Sequence, residues 1–190
     1  TKFGKSESGT VWLDPAKTSP YELYQFLFNT EDAKVIEYLK KLTFLSVEEI
    51  TKLEESLKNE PHKRLAQKAL AQEVVRDLHG QEELDSALKI TDALFRGNLQ
   101  NLEAKERLSA VKNMDKIECN ADLNLVDFLI QTKIASSKRE AREWINGNSI
   151  SVNGEKIKDV NYIVSLDKAY IENYILIKRG KKNNYCVILK

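Results

Sequence analysis

The chain has 190 residues, enough for one ordinary domain or for two small ones that each bury a core. Hydrophobic residues at 42% and charged residues at 31% describe a soluble globular protein, and no apolar run is long enough to span a bilayer. The formal net charge of +1 conceals an asymmetry, because residues 1–120 carry 18 Lys and Arg against 21 Asp and Glu, whereas residues 121–190 carry 12 against 8. A positive field, and with it any polyanion partner, is therefore expected on the last third. Cys119 and Cys186 form no metal-type cluster, and His62 and His79 have no ligand-like neighbours, which predicts a reducing, cytoplasmic setting and no structural metal.

The first ten residues are small, polar and cationic and begin without a methionine, as expected of a piece of something longer. Gly4-Lys5-Ser6 could end a nucleotide-binding P-loop, but such a loop opens directly into a helix, and Gly9 and Pro15 argue against one. What remains is a loop in which Lys2 and Lys5 stand beside small residues that let the backbone approach an anion.

Helical patterning then runs for about a hundred residues. Ser19-Pro20-Tyr21-Glu22 combines a cap, a first-turn proline and a capping-box glutamate ahead of Leu23, Phe26 and Leu27. Thr30 is expected to open a second helix, with Glu31 and Asp32 in its first turn and Val35, Ile36 and Leu39 as its stripe. Ser46 and Glu49 make another capping box before Ile50, Leu53 and Leu57. Pro61 should start a longer helix whose stripe is Leu65, Ala69, Val74 and Leu78, ending at Gly80. A fifth runs from Gln81 to Arg96, with Leu84, Leu88 and Leu94, and stops at Gly97. Five helices with short connections predict an antiparallel bundle over 19–97. Apolar residues thin out over 98–120, apart from a short helix at 104–111, so this stretch reads as a linker.

The last domain, 121–190, opens with an amphipathic helix over 122–130 and reaches its kernel at Ser136 to Gly147. Ser137 and Glu140 have the spacing of a capping box, Ala141, Trp144 and Ile145 share one face, and Asn146-Gly147 supplies a left-handed stop. Lys138, Arg139 and Arg142 lie off the apolar face, so a rigid support presents them to a phosphate backbone. Ile150, Val152 and Asn153-Gly154 predict a hairpin with a two-residue turn. Two further β-rich runs, 174–177 and 185–189, flank a cationic turn containing Arg179, Lys181 and Lys182. Trp144 and the tyrosines at 162, 174 and 185 fall in apolar patterns and read as core. The fold class is thus a mainly α-helical bundle followed by a small α+β domain with β-hairpins.

The span from Ala121 to Ile157, through Ser137-Lys138-Arg139-Glu140-Ala141 and Val152-Asn153-Gly154, resembles the alpha-L RNA-binding motif. That motif occurs in a small-subunit ribosomal protein, several pseudouridine synthases and bacterial tyrosyl-tRNA synthetases. At the other end Lys2-Phe3-Gly4-Lys5-Ser6 is similar to the variant of the class I KMSKS signature used by the tyrosyl enzymes, and Trp12-Leu13-Asp14 and Lys17-Thr18-Ser19-Pro20-Tyr21 continue the likeness. The resemblance implies an ATP-phosphate loop over 1–18, with Lys2, Gly4, Lys5 and Ser6 on ATP and the two lysines acting catalytically on its phosphates. It also implies Mg2+ with the ATP, tyrosine tRNA as partner, and a parent homodimer joined through a preceding catalytic domain. The chain alone would then be an inactive monomer. The bundle would take the anticodon arm, with Asp32 accepting from a base amino group. Lys138, Arg139, Arg142, Arg179, Lys181 and Lys182 would meet the long variable arm and its stem. A non-catalytic alpha-L RNA-binding protein with an unrelated helical domain is the alternative.

Overall fold

The computed structural model describes residues 5–6, 9–112, 114–180 and 183–190, and of Lys5, Ser6 and Gly9 the backbone alone. The chain forms two compact units, residues 1–88 and 89–190.

In the first unit, two short strands, β1 (Lys5–Ser6) and β2 (Gly9–Thr10), pair antiparallel, so Lys5 and Ser6 lie in a strand and not in the helix a P-loop requires. Helix α1 (Pro20–Phe28) begins with a complete capping box in which Ser19 accepts the Glu22 amide and Glu22 accepts the Ser19 amide. Next come α2 (Asp32–Leu42) and α3 (Val47–Asn59), the latter opened by an equally complete box of Ser46 and Glu49. Their buried faces, Leu23 and Leu27, Val35 and Leu39, and Ile50, close on α4 (Leu65–His79), which packs against all three.

Two details depart from the sequence reading. Glu31, not Thr30, caps α2, and it makes no side-chain cap bond. Pro61–Lys63 forms only a 3-10 turn, since Arg64 adopts a left-handed conformation (φ 52°) that interrupts the helix before Leu65. The interruption rotates α4, so that Ala66, Leu70, Ala71, Val74 and Val75 are buried while Leu65 and Leu78 are exposed. Arg64 holds this break in place. Its Nη2 donates to the carbonyls of Phe28 (2.8 Å) and Thr30 (3.2 Å), and its guanidinium lies 5.3 Å from the Phe28 ring centre. The unsatisfied carbonyls that follow α1 thereby gain charged donors.

Helix α5 (Gln81–Arg96) contains the division between the units, with Leu84 and Ala87 in the first core. In the second unit a 3-10 turn (Leu99–Asn101), α6 (Ala104–Lys112) and β3 (Lys116–Cys119) follow. The stretch read as a linker is therefore structured, and Leu99, Leu102, Ala110, Val111 and Cys119 are buried. Its apolar residues are spread over a turn, a short helix and a strand, so no single period reveals them. Next come β4 (Leu123–Asn124), α7 (Leu125–Gln131), α8 (Lys138–Asn146), β5 (Ile150–Val152), β6 (Glu155–Lys156), β7 (Ile163–Val164), β8 (Tyr174–Arg179) and β9 (Asn183–Leu189). The main sheet has the order β3-β9-β8-β5-β6, antiparallel except that β3 runs parallel to β9, and β4 pairs with β7 separately. Phe128 and Leu129 of α7, Ala141 and Ile145 of α8, and Ile150, Ile175, Ile177 and Val187 of the sheet form one core, with Trp144, Tyr162 and Tyr185 packed at its margin.

Tyr170 ties the Leu99 turn to the rest of the second unit. Its hydroxyl donates to the Leu99 carbonyl (2.7 Å), Arg107 stacks 5.0 Å from its ring centre, and burial pushes its pKa up to about 12. A phenol whose folded pKa exceeds its unfolded value of about 10 stabilises the fold fully below pH 10 and loses that contribution as pH rises through 12. The stability of the second unit, followed by denaturant titration, should fall across this window. Tyr170→Phe should lower stability at neutral pH by about 1–2 kcal/mol, because the Leu99 carbonyl loses its donor, and should flatten the alkaline fall. An unaltered alkaline profile would assign that fall to the other tyrosines.

Candidate nucleic-acid interface

The basic helix α8 is set by its cap and by one apolar face. Ser137 Oγ accepts the Glu140 amide at 3.2 Å, as the sequence predicts, but the Glu140 carboxylate turns to the amide and hydroxyl of Ser136, both at 2.7 Å, and not to Ser137. These bonds, foremost, hold Glu140 below the usual carboxylate pKa, and the Arg179 charge adds to them. The stop also differs. Gly147 has φ −77°, and the left-handed residue is Asn148 (φ 56°). Gly147 is needed for space, since a Cβ there would sit 2.9 Å from the Glu143 carbonyl oxygen. Asn153 (φ 51°) and Gly154 (φ 90°) form the predicted turn, pairing Val152 with Glu155.

With Ala141 and Ile145 fully buried, the helical period sends Lys138 and Arg142 to one border of the exposed face and Arg139 to its middle. Each cation has a distinct setting. Lys138 Nζ is 2.7 Å from Asp127 Oδ1, and this bond, followed by that of Asn124, lowers the Asp127 pKa, with the Arg142 charge the smallest contributor. Asn124, Asp127, Lys138, Arg142, Val160 and Asn161 line a polar recess of about 180 Å3 beside that border. Arg139 pairs with Glu143 at 2.9 Å yet keeps a side chain 89% exposed. On the opposite border Arg179 lies 4.5 Å from the ring centre of Trp144, a cation–π contact that holds the guanidinium against α8. Lys138, Arg139, Arg142 and Arg179 are thus brought around one helix. Rigidly presented cations around an open helix face suit the phosphates and ribose hydroxyls of a structured RNA.

Lys181 and Lys182 lie outside the described residues, as do Lys2 and Gly4, and Lys5 and Ser6 are placed by backbone only. Asp32 belongs to the first unit, exposed at the start of α2, where its Oδ1 accepts from Gln67 Nε2 at 2.6 Å. Sequence reasoning missed Asp127, Asn161 and Gln67. The spacing Asn124-x-x-Asp127 at a helix start could have flagged the first, since Asn124 caps the Asp127 amide at 3.0 Å. No local signal announces Gln67.

Residues 1–96 match the family model described as tRNA synthetases class I (W and Y), and residues 106–188 match the tyrosine-tRNA ligase SYY-like C-terminal domain. The first match covers half of the chain, so the chain belongs to the class I tRNA synthetases of the W and Y type. The curated relatives it matches are tyrosine-tRNA ligases. That of Lactobacillus delbrueckii subsp. bulgaricus is 50% identical over 100% of this chain and 45% of its own length. Those of Staphylococcus saprophyticus (100% of this chain, 45% of the relative) and Macrococcus caseolyticus (98% and 45%) are 48% and 51% identical. The chain spans less than half the length of these relatives. Among solved structures, a C-terminally truncated mitochondrial tyrosyl-tRNA synthetase of Aspergillus nidulans is 44% identical over 45% of this chain and 25% of its own, with a TM-score of 0.44. The solution structure of a tyrosyl-tRNA synthetase C-terminal domain is 36% identical over 52% of this chain and 100% of its own, with a TM-score of 0.40. Among the described residues, no helix is long and apolar enough to cross a membrane.

Proposed function

We propose that the chain is the tRNA-binding part of a cytoplasmic tyrosine-tRNA ligase, which joins tyrosine to ATP as tyrosyl-adenylate and passes the tyrosyl group to the terminal ribose of tyrosine tRNA. The observation that carries this reading is the rigid α8 edge, with Lys138, Arg139, Arg142 and Arg179 grouped around it, inside a segment that matches the ligase C-terminal domain model. The class I match over residues 1–96 favours this over a stand-alone alpha-L RNA-binding protein.

In this reading the second unit grips the variable arm through phosphates and shape, and the helical unit presents Asp32 to an anticodon base. Lys2 and Lys5 stabilise charge on the pyrophosphate as the tyrosine carboxylate attacks the α-phosphorus, an electrostatic contribution concentrated in the transition state. Mg2+ accompanies the nucleotide phosphates. The relatives are more than twice the length of this chain, and the pockets for tyrosine and adenosine, with the dimer contact, are assigned to the part of the ligase that it does not span. Titrating the chain with tyrosine tRNA, intact or with its variable arm shortened, tests this reading.

A further inference from the structure

Gln67 presents an unusual balance. It sits on the first turn of α4, is fully buried, and its amide nitrogen faces two acceptors, Asp32 Oδ1 at 2.6 Å and the Thr30 carbonyl at 3.5 Å. Two acceptors on one side fix which end of the amide is nitrogen. The other end, Oε1, is buried with no hydrogen-bond partner among the described residues. A buried oxygen left in that state is costly, and an apolar side chain of similar volume would avoid the cost. Packing therefore does not account for glutamine at this position.

The surroundings do. The corner between α1 and α2 is held by two side chains at the start of α4, Arg64 just before the helix on the Phe28 and Thr30 carbonyls and Gln67 in its first turn on Asp32. Asp32 remains exposed, so one carboxylate oxygen is anchored by a buried amide while the carboxylate can still accept from outside. An acceptor fixed before the ligand arrives loses less freedom on binding and discriminates more sharply between a ligand that donates to it and one that does not.

We propose that Gln67 is the positioning residue for Asp32. Its amide aims the carboxylate at the exocyclic amino group of an unpaired base, and the selectivity of this corner for amino-bearing bases depends on it. The inference rests on the reading of Asp32 as an anticodon-contacting residue.

The experiment titrates the 190-residue chain with an anticodon hairpin of tyrosine tRNA that has guanine at the first anticodon position, as tyrosine codons ending in U or C require. Its counterpart has inosine there, which lacks the amino group. The chain should prefer guanine by about tenfold, the effect of one charge-assisted hydrogen bond. Asp32→Ala should abolish the preference. Gln67→Met should reduce it to about twofold or less while leaving the thermal midpoint unchanged or higher, because the orphaned oxygen disappears. Gln67→Glu, which keeps the volume but sets a second carboxylate against Asp32, should show the same loss of preference and covers the case in which the methionine variant misfolds. Full preference in a folded Gln67 variant, with Asp32→Ala blind to the amino group, would overturn the role of Gln67 and leave that of Asp32 standing. Undiminished preference in Asp32→Ala would overturn both.

Discussion

Gly154→Ala should destabilise the second unit by about 3 kcal/mol, a large effect for one added methyl group. Gly154 has φ +90°, a conformation that L side chains rarely adopt, and a Cβ there would lie 2.2 Å from the Gly97 carbonyl oxygen. The obstacle is backbone, so no rotamer change relieves it. The neighbourhood is also fixed on every side. Asn153 Nδ2 donates to the Lys168 carbonyl (2.7 Å), its Oδ1 accepts the Leu176 amide (2.9 Å), and its carbonyl accepts from Gln100 Nε2 (3.1 Å). Urea unfolding followed through the second unit should show the midpoint fall, and a change under about 0.5 kcal/mol would mean that the Gly97 segment moves aside freely. Binding at α8 should decline in proportion to the unfolded fraction only, since neither glycine belongs to that helix.

The Arg139→Ala, Arg142→Ala double variant should bind tyrosine tRNA at least tenfold more weakly at low salt, with the slope of log K against log salt shallower by about 1.5, as two lost phosphate contacts require. The structure ranks the cations. Arg139 is 89% exposed and gives up only a surface pairing with Glu143 to meet a phosphate. Lys138 must share itself with Asp127, so Lys138→Ala should cost less than either arginine. Arg179→Ala removes a guanidinium already held against Trp144 and should act on affinity and on the packing of α8 together. Full affinity and an unchanged salt slope in the double variant would remove α8 from the interface.

What the sequence discloses about this interface follows physical range. The start and apolar face of α8, the Asn153-Gly154 turn and the two complete capping boxes of the bundle are fixed by residues three or four apart, and those features stand where local rules put them. Features decided by distant partners were not legible. The contact of Gly154 with Gly97 needs the two segments to meet in space. Likewise the break at Arg64, which rotates the buried face of α4, exists because the guanidinium serves carbonyls at the end of another helix. Strand β3 is a related case, since its backbone pairs with the distant strand Asn183–Leu189 and only Cys119 of its four residues is buried. In the candidate site, the residue types of Lys138, Arg139 and Arg142 were plain from spacing, whereas the carboxylate that engages Lys138 and the buried amide that engages Asp32 were not.

If the second unit grips tyrosine tRNA as proposed, shortening the variable arm should weaken binding. The direct measurement is a competition titration of the 190-residue chain, at one fixed moderate salt concentration, between intact tyrosine tRNA and the same tRNA with its variable arm shortened. The shortened tRNA should bind at least about tenfold more weakly. Equal affinities would remove the variable arm from the interface.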